Sequence, residues 1–443
     1  MPASAAKPRL AEGVWIGPFD VDLPQPSYLV RLPDARFFRI SESLYQLLSC
    51  IDGMRSEERI ARAVSRLWRR HVTRWEVEWA LENRLGPRGL LAGRRAQDDD
   101  AEPDMEPVPP RFVEKTAGAW RVTVKAGQLR VATPLLGVLF ARPVAVAVLV
   151  AVVAMLVRMV VFDGLPEVAP ALHQLSWLDV LILSLLAPLL VFLHELGHLA
   201  ACRRLSGAHG DVTGLLPASW SADVTEAWRL PRARRCVVDA GGVYLQLLAA
   251  VVSYAIYVGT GWPAALAAAL FLQFTAAWCL LVGTRTDGWW LLTDALGLVR
   301  LDDADAWEDL LDRIDSVVAP ETMNRATQGW SAWGRLWWAV LWVAGEAVAQ
   351  LALIGLVVCL AMQYPETLRE WWSAVAAPGG GQVWVALGGL PSLLALPAAL
   401  AWTWVFESSF VRSWRRYAPQ MRLWLAIALW AAARRLQPKM AAG

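Results

Sequence analysis

The stretch VFLHELGHLA, Val191 to Ala200, places two histidines and a glutamate at the end of a long apolar run, and it decides how the rest of the sequence is interpreted. Ionisable side chains inside a bilayer are costly, about 2.5 to 3.5 kcal/mol for a central acidic residue on insertion scales. A bound metal ion is the first explanation that compensates for this cost. His194 and His198 are four residues apart, so a helix would place both on one face, with Cβ atoms about 5–6 Å apart.

Two imidazoles at this spacing can bind one tetrahedral zinc ion, at Zn–N distances of about 2.0–2.1 Å. Glu195 follows the first histidine and could take a proton from an attacking water without occupying a coordination position. Cys202 falls one turn further along the same face and is more simply a small buried residue. A chance HExxH on a surface helix is the alternative, but the apolar context and the use of two of only five histidines favour a metal site.

Catalytic zinc sites use three protein ligands and keep one position open, so a further ligand is expected. The first candidate is Asp287 in GTRTDGWW, at the cytoplasmic end of a later apolar run and at the depth of the histidines. Gly288 would let the backbone approach the metal helix closely. Asp239 is the alternative ligand, although it can also be a carboxylate at a helix start. Asp294 is interpreted as helix-surface polarity or as a group that supports the ligands.

Composition indicates a membrane protein. The chain has 443 residues, is 56% hydrophobic and contains 26 tryptophans, against about 45–50% apolar residues in soluble proteins. Tryptophan is favoured at the membrane–water boundary. The net charge of +2 gives no indication of nucleic-acid binding, and five cysteines without a CxxC pair argue against a disulfide framework or a zinc ribbon. The N-terminus lacks the apolar core of a signal peptide.

Six apolar runs are each about long enough to cross roughly 30 Å of hydrocarbon. They are Pro143–Phe162, Leu178–Cys202, Val237–Val258, Pro263–Val282, Leu336–Met362 and Val383–Val405. Arginines are concentrated in the segments after the second, fourth and sixth runs, which predicts that both termini are cytoplasmic. The expected location is therefore the inner (cytoplasmic) membrane of the cell, in a multi-pass arrangement.

The first part of the chain differs from this pattern. YLVRLPDARFFRIS predicts a hairpin, and three short helical patterns follow it, with a capping box from Thr73 to Glu76. The fold class is therefore mainly α, a polytopic membrane protein of about six transmembrane helices plus a small N-terminal winged-helix-like α+β domain. The predicted domains are 1–93, the winged helix; 94–142, an acidic, Pro-rich linker and juxtamembrane segment; 143–406, the transmembrane metal-binding domain; and 407–443, a basic amphipathic tail.

HELGH in an apolar span, followed by TDGWW in a later one, resembles the site-2 protease family of intramembrane zinc metalloproteases, over roughly Pro143 to Leu301. The resemblance implies three zinc ligands, His194, His198 and Asp287, and a general base, Glu195. The stretch WRLPRARRCVVDAGGVYLQLLAA is similar to the family's third helix, rich in small residues, which packs against the catalytic helix. Gly241 and Gly242 would permit that close packing.

The N-terminal unit, about Pro26 to Leu91, resembles PqqD-like domains that bind the leader peptides of ribosomally made natural products. The resemblance implies that a peptide adds a strand to the hairpin edge, and that this edge lies within Tyr28–Arg31 and the following helix. The alternative is a regulatory or DNA-binding wing, but its mixed charge disfavours DNA, which requires a basic face.

The sequence thus predicts a zinc endopeptidase that cleaves a peptide precursor held through its leader, with a flexible linker that presents the cut site to zinc. Expected partners are the lipid bilayer, a peptide or protein substrate, and an exporter or modification enzymes, but no nucleic acid. The alternatives are regulated cleavage of a single-span signalling protein, or a transporter or scaffold with structural zinc. On this hypothesis, removal of the residues before Pro110 weakens peptide capture and leaves zinc bound.

Overall fold

A computed structural model describes residues 7–21, 26–93, 105–108, 120–163, 174–216, 219–280 and 286–298, together with six single residues between 365 and 376. This part of the chain is mainly helical and contains two small sheets. The predicted spans Leu336–Met362 and Val383–Val405, and the predicted tail at 407–443, lie outside the described residues.

The N-terminal domain begins with three strands, β1 (Trp15–Phe19), β2 (Ser27–Arg31) and β3 (Phe37–Ile40), followed by α1 (Glu42–Ser49), α2 (Glu57–Trp68) and α3 (Arg74–Ala80). The predicted hairpin and three helices are thus confirmed. The capping box at α3 is also confirmed, since Thr73 Oγ1 accepts from the Glu76 N–H at 3.2 Å and Glu76 Oε2 accepts from the Thr73 N–H at 2.6 Å. Hydrogen bonds from Arg70 and Thr73 lower the pKa of Glu76 to about 2.

The sheet of this domain has four antiparallel strands in the order β1-β2-β3-β4. Strand β4 (Met105–Val108) comes from the segment predicted as a linker, and its Met105 lies opposite Ile40 of β3. The predicted peptide-binding edge at Tyr28–Arg31 is wrong, because β2 is paired on both sides, by β1 and by β3. The hairpin pattern covers only β2 and β3. Its two edges are covered by β1, which comes just before β2 in the chain, and by β4, which comes from a more distant segment.

The two faces of this sheet contact different parts of the protein. Val30, Ile40 and Met105 point to the core formed with α1–α3. Side chains on the opposite face form a second cluster with Trp228, which lies far along the chain; they are Phe19, Leu29, Phe37 and Val108. Since successive strand residues point to opposite faces, the sheet is buried on both sides and joins the two parts of the protein.

The second part of the chain has more helices. In order, its elements are β5 (Trp120–Val124), α4 (Ala132–Gly137), α5 (Arg142–Val157), α6 (Trp177–Ser206), β6 (Val212–Leu216), β7 (Ser219–Ala222), a 3-10 helix (Thr225–Arg229), α7 (Arg232–Asp239), α8 (Gly241–Thr260), α9 (Pro263–Cys279) and α10 (Asp287–Leu296). Strands β5, β6 and β7 form an antiparallel sheet in that order. This sheet was not predicted from the sequence.

Two of the described helical segments are long and apolar enough to cross a membrane, Leu181–Ser206 and Gly241–Thr260. A third span results if the bent pair Ala132–Phe140 and Arg142–Val157 counts as one, and α9 is a shorter apolar helix. The predicted third span is interrupted, because α7 ends at Asp239 and α8 begins at Gly241. Two glycines, which are poor helix formers, follow that break. The described residues therefore support two or three spans rather than six.

Helix α6 carries the histidine motif and packs closely against α8. A Cβ atom on Gly197 of α6 would collide with the backbone carbonyl of Gly241, and one on Gly241 would collide with that of Gly197. A Cβ atom on Gly197 would also lie 3.0 Å from the Cα of Gly242, so the close packing predicted for Gly241 and Gly242 is confirmed. Gly288 has a different role from the one expected, because its Cα faces the backbone carbonyl of Leu280 at the end of α9 rather than the metal helix.

Candidate metal centre

The structure brings together the three side chains that the sequence predicts as ligands. His194 Nε2 lies 2.9 Å from Asp287 Oδ2, and His198 Nε2 lies 3.2 Å from Asp287 Oδ1. The two Nε2 atoms are 3.1 Å apart. Both histidines are buried, at 5% and 6% exposed. One ligand atom from each residue lies within 4.8 Å of the other two, so the group could hold one metal ion.

A hydrogen-bond chain fixes which nitrogen of His194 carries the proton. Thr275 Oγ1 donates to a backbone carbonyl of its own helix, that of Phe271 at 2.9 Å or that of Leu272 at 3.2 Å. Having used its proton, the hydroxyl accepts from Gln246 Nε2 at 3.1 Å. The amide oxygen of Gln246 therefore faces His194 Nδ1, at 2.9 Å. His194 Nδ1 must donate this bond, which leaves Nε2 with a free electron pair.

His198 is oriented by the main chain instead. Its Nδ1 lies 2.8 Å from the carbonyl oxygen of Val238 in α7. A carbonyl can only accept, so Nδ1 carries the proton and Nε2 again presents an electron pair. Such a hydrogen bond from the far nitrogen is the usual way in which proteins fix the ring orientation of a metal-binding histidine.

Three electron-pair donors consequently face one another in a buried space. Asp287 Oδ2 is buried and accepts no hydrogen bond, although His194 Nε2 is close to it. A buried carboxylate oxygen without a donor is destabilising unless a cation compensates it. The donor set, with two neutral imidazoles and one carboxylate, fits a divalent metal ion in that space.

Glu195 follows His194 on α6 but is not one of the three grouped ligands. Its Oε2 accepts a hydrogen bond from the Ala222 N–H, at 2.7 Å, at the end of strand β7. The sheet β5-β6-β7 therefore holds this carboxylate next to the metal helix. A carboxylate held beside a metal site, rather than in it, is free to exchange a proton with water.

Gly242 forms one wall of the site. A Cβ atom at this position would lie 2.5 Å from Nε2 of His194 and 2.5 Å from Nε2 of His198. Such a distance is far inside van der Waals contact, so the absence of a side chain lets the α8 backbone pack directly against both imidazoles.

The other predicted residues lie elsewhere. Asp239 is buried at the end of α7 and is not part of the His194, His198 and Asp287 group. Cys202 belongs to an apolar cluster, as the simpler interpretation predicts. Asp294 is fully buried in an ion pair with Arg235, so the interpretation as helix-surface polarity is wrong. The amphipathic pattern of α10 does not reveal which helix covers that face.

Sequence reasoning missed the groups behind the ligands. Gln246 in α8 and Thr275 in α9 are among the few polar side chains in their apolar runs, and a polar side chain in such a helix must find a partner. That signal identifies them as candidates without naming their partners. The Val238 carbonyl and the Ala222 N–H carry no signal in the sequence, because main-chain groups are common to all residues.

Comparisons of this chain with protein-family models, with curated proteins and with solved structures find no match.

Proposed function

We propose that this chain is an intramembrane zinc endopeptidase, in which His194, His198 and Asp287 hold the metal and Glu195 is the general base. The observation that carries the proposal is the group of three buried electron-pair donors with no proton to share. Two neutral imidazoles and a carboxylate form a ligand set that suits zinc, with one position left for substrate. When bound, zinc supplies Lewis acidity, which polarises a scissile carbonyl and promotes deprotonation of water.

In this proposal the protein moves the proton through Glu195. Its carboxylate takes a proton from the attacking water and then gives it to the nitrogen of the leaving amine. The Ala222 N–H, 2.7 Å from Oε2, holds the carboxylate in a defined orientation beside the ligands. A site with a purely structural metal has no need of such a base.

The membrane assignment is supported by two or three helices that are apolar enough to span a bilayer. His194 and His198 lie in the second half of the candidate span Leu181–Ser206. We propose that the chain resides in the cytoplasmic membrane as a multi-pass protein with both termini in the cytoplasm. The metal ligands would then lie toward the cytoplasmic side, within reach of the N-terminal domain.

The proposed substrate is a peptide precursor held by the N-terminal domain. A cavity of about 540 Å³ lies between α1, α2 and α3, and Trp75 and Trp79 at its rim are 69% and 42% exposed. Exposed aromatic side chains around a cavity are typical of peptide-binding surfaces. Pairing of β4 with β3 supports strand addition at this sheet, and a leader peptide would use the β1 edge or replace β4.

The test is a comparison of the parent chain with Glu195→Gln, both in lipid nanodiscs, using a synthetic library of apolar peptides read by mass spectrometry. Loss of the base should lower turnover by about 10²–10⁴-fold and leave the zinc content unchanged. Glu12→Gln, an exposed change in the N-terminal domain, is the matched control and should behave like the parent.

Unchanged turnover in Glu195→Gln with zinc retained would contradict the proteolysis assignment. A parent chain that retains zinc and cleaves none of the peptides would favour the structural-zinc alternative.

A further inference from the structure

Arg235 and Asp294 form an ion pair that is completely shielded from solvent. Arg235 Nε lies 2.7 Å from Asp294 Oδ1, and both side chains are 0% exposed. The pair joins α7 to α10, two helices that pack against each other. Buried charges are costly to desolvate, and a protein retains such a pair only where close contacts satisfy both groups.

The same guanidinium also contacts the N-terminal domain. Arg235 Nη2 donates to the backbone carbonyl of Asp20, directly after β1, at 2.9 Å. The Asp20 carboxylate in turn accepts from the Arg232 N–H at the start of α7, at 2.8 Å. Arg235 Nη1 donates to the Leu230 carbonyl at 3.1 Å, so the donors of this side chain reach three separate elements.

Aromatic rings enclose this contact. The Arg235 guanidinium lies 5.6 Å from the ring centroid of Phe19 in β1 and 5.4 Å from that of Trp228. Phe19 and Trp228 pack edge to face at 5.6 Å, and Trp228 is also 6.2 Å from Trp290 of α10. Phe19 thus belongs to the N-terminal domain and yet forms part of the wall around the ion pair.

Both helices joined by the pair hold parts of the metal centre. Asp294 and Asp287 are seven residues apart on α10, which is about two turns, so they share one face of that helix. Arg235 and Val238 are three residues apart on α7, and the Val238 carbonyl orients His198. The ion pair therefore fixes α7 and α10 relative to each other. In doing so it fixes the Val238 carbonyl, which orients His198, relative to Asp287, the third ligand.

We propose that docking of the N-terminal domain onto α7 and α10 through Arg235 positions Asp287 and His198 for metal binding. The proposal rests on the metal centre proposed above and gives the N-terminal domain a second role besides peptide capture. It replaces the expectation that metal binding is independent of the residues before Pro110. Arg235 is a positioning residue, since it contacts none of the three ligands.

The first experiment measures zinc affinity of the full chain in lipid nanodiscs by competition with a chromophoric chelator. Arg235→Met should weaken zinc binding by about 10–100-fold, the usual effect of losing a group that supports metal ligands. The matched control is Arg31→Met, which removes an ion pair with Glu226 at the same domain interface, 2.5 Å long. Glu226 belongs to the 3-10 helix rather than to α7 or α10, so less than about a threefold change is expected.

A second variant tests the connection from the N-terminal side and does not depend on how well the protein tolerates an unpaired Asp294. Phe19→Ala removes a ring next to Trp228 and Arg235 and leaves the ion pair intact. We expect zinc binding to weaken by about 3–10-fold, less than the loss of a group that contacts the ligands directly.

The third readout separates positioning from general destabilisation. Co²⁺ is bound in place of zinc, and its visible absorption reports ligand geometry. Arg235→Met should change the band positions and intensities at full Co²⁺ loading. Arg235→Lys keeps a positive charge beside Asp294 and should return the spectrum part of the way toward that of the parent.

Zinc affinity and Co²⁺ spectra equal to those of the parent in both Arg235→Met and Phe19→Ala would overturn the positioning role and leave the metal centre standing. A parent chain that binds neither metal would overturn the metal centre, and this proposal with it. An equal loss of affinity in Arg31→Met would also overturn the proposal, because any weakening of the domain interface would then have the same effect.

Discussion

His194 and His198 lie one turn apart on α6, but different kinds of structure hold their far nitrogens. His194 is held by a neutral chain of side chains, Gln246 and Thr275, inside the apolar helices α8 and α9. His198 is held by the Val238 carbonyl of α7, which the ion pair of Arg235 links to α10 and to the N-terminal domain.

These two kinds of support determine which side of the metal centre other parts of the protein can affect. A neutral chain between apolar helices avoids the cost of charges in a bilayer. The Arg235 guanidinium has several donors, and it bonds both to Asp294 of α10 and to the Asp20 carbonyl of the N-terminal domain. We therefore expect the His194 side to be independent of the N-terminal domain, and the side of His198 and Asp287 to respond to it.

The largest effect is expected for Asp287→Ala, because this carboxylate contacts both imidazoles and so belongs to both sides of the comparison. Zinc affinity should fall by more than about 100-fold, beyond the loss that follows removal of a supporting group. The matched control is Asp239→Ala, since Asp239 is also buried but lies outside the ligand group. A larger loss in Asp239→Ala than in Asp287→Ala, by chelator competition, would move the third ligand to α7.

Gly242→Ala should displace both histidines at once, through a steric clash. The added Cβ would lie 2.5 Å from Nε2 of each histidine, so either the rings or α8 must move. We expect zinc affinity to fall by about 10–100-fold, comparable to the loss of a supporting group on each histidine. Gly259→Ala in the same helix is the control, because nothing lies within 4 Å of its added Cβ. If both variants bind zinc like the parent, the close contact of α8 with the imidazoles is not required.

Contacts between residues that are close in sequence can be predicted from it, whereas contacts between distant residues mostly cannot. The spacing of His194 and His198 and the DG pair at Asp287 predict three side chains that the structure does bring together. The capping box at Thr73 and the hairpin of the N-terminal domain are equally local, and the sequence predicts both. The Arg235–Asp294 pair was missed because RLPRARRC resembles a basic cytoplasmic loop, and only tertiary packing buries one of its four arginines.

Strands β4 and β5 show the same limit. Both lie in the segment 94–142, whose acidic and Pro-rich composition predicts a linker. Their partners, β3 and β6, are far away in sequence, and strand pairing depends on the partner as much as on local preference. The edge assigned to Tyr28–Arg31 failed for a more local reason. The strand β1, just before β2 in the chain, pairs with it on the side away from β3 and was not predicted.

Gln246→Leu tests the neutral side alone. The variant removes the acceptor for His194 Nδ1 but keeps the apolar bulk of the side chain, and the ring is then free to adopt the other tautomer. Zinc affinity should fall by about 10-fold or somewhat more. Thr275→Val, which removes a contact one step further from the ring, should have a smaller effect. If Thr275→Val lowers zinc affinity more than Gln246→Leu does, Thr275 does not act on His194 through Gln246.

The smallest and sharpest effect is a difference between two double-variant cycles. If the two sides are independent, the changes in zinc-binding free energy from Gln246→Leu and Phe19→Ala should add within about 0.5 kcal/mol. Arg235→Met and Phe19→Ala share one contact and should fall short of additivity. The opposite result would be additivity for Arg235→Met with Phe19→Ala and coupling for Gln246→Leu with Phe19→Ala. It would mean that the His194 side, rather than the His198 side, depends on the N-terminal domain.

The most direct test of the account is elemental analysis of the full chain, purified in lipid nanodiscs and dialysed against a weak chelator. We predict one zinc ion per chain in the parent, and almost none when His194 and His198 are both replaced by alanine. A parent chain without stoichiometric metal, or a double variant that retains the full amount, would contradict the buried metal centre on which the account depends.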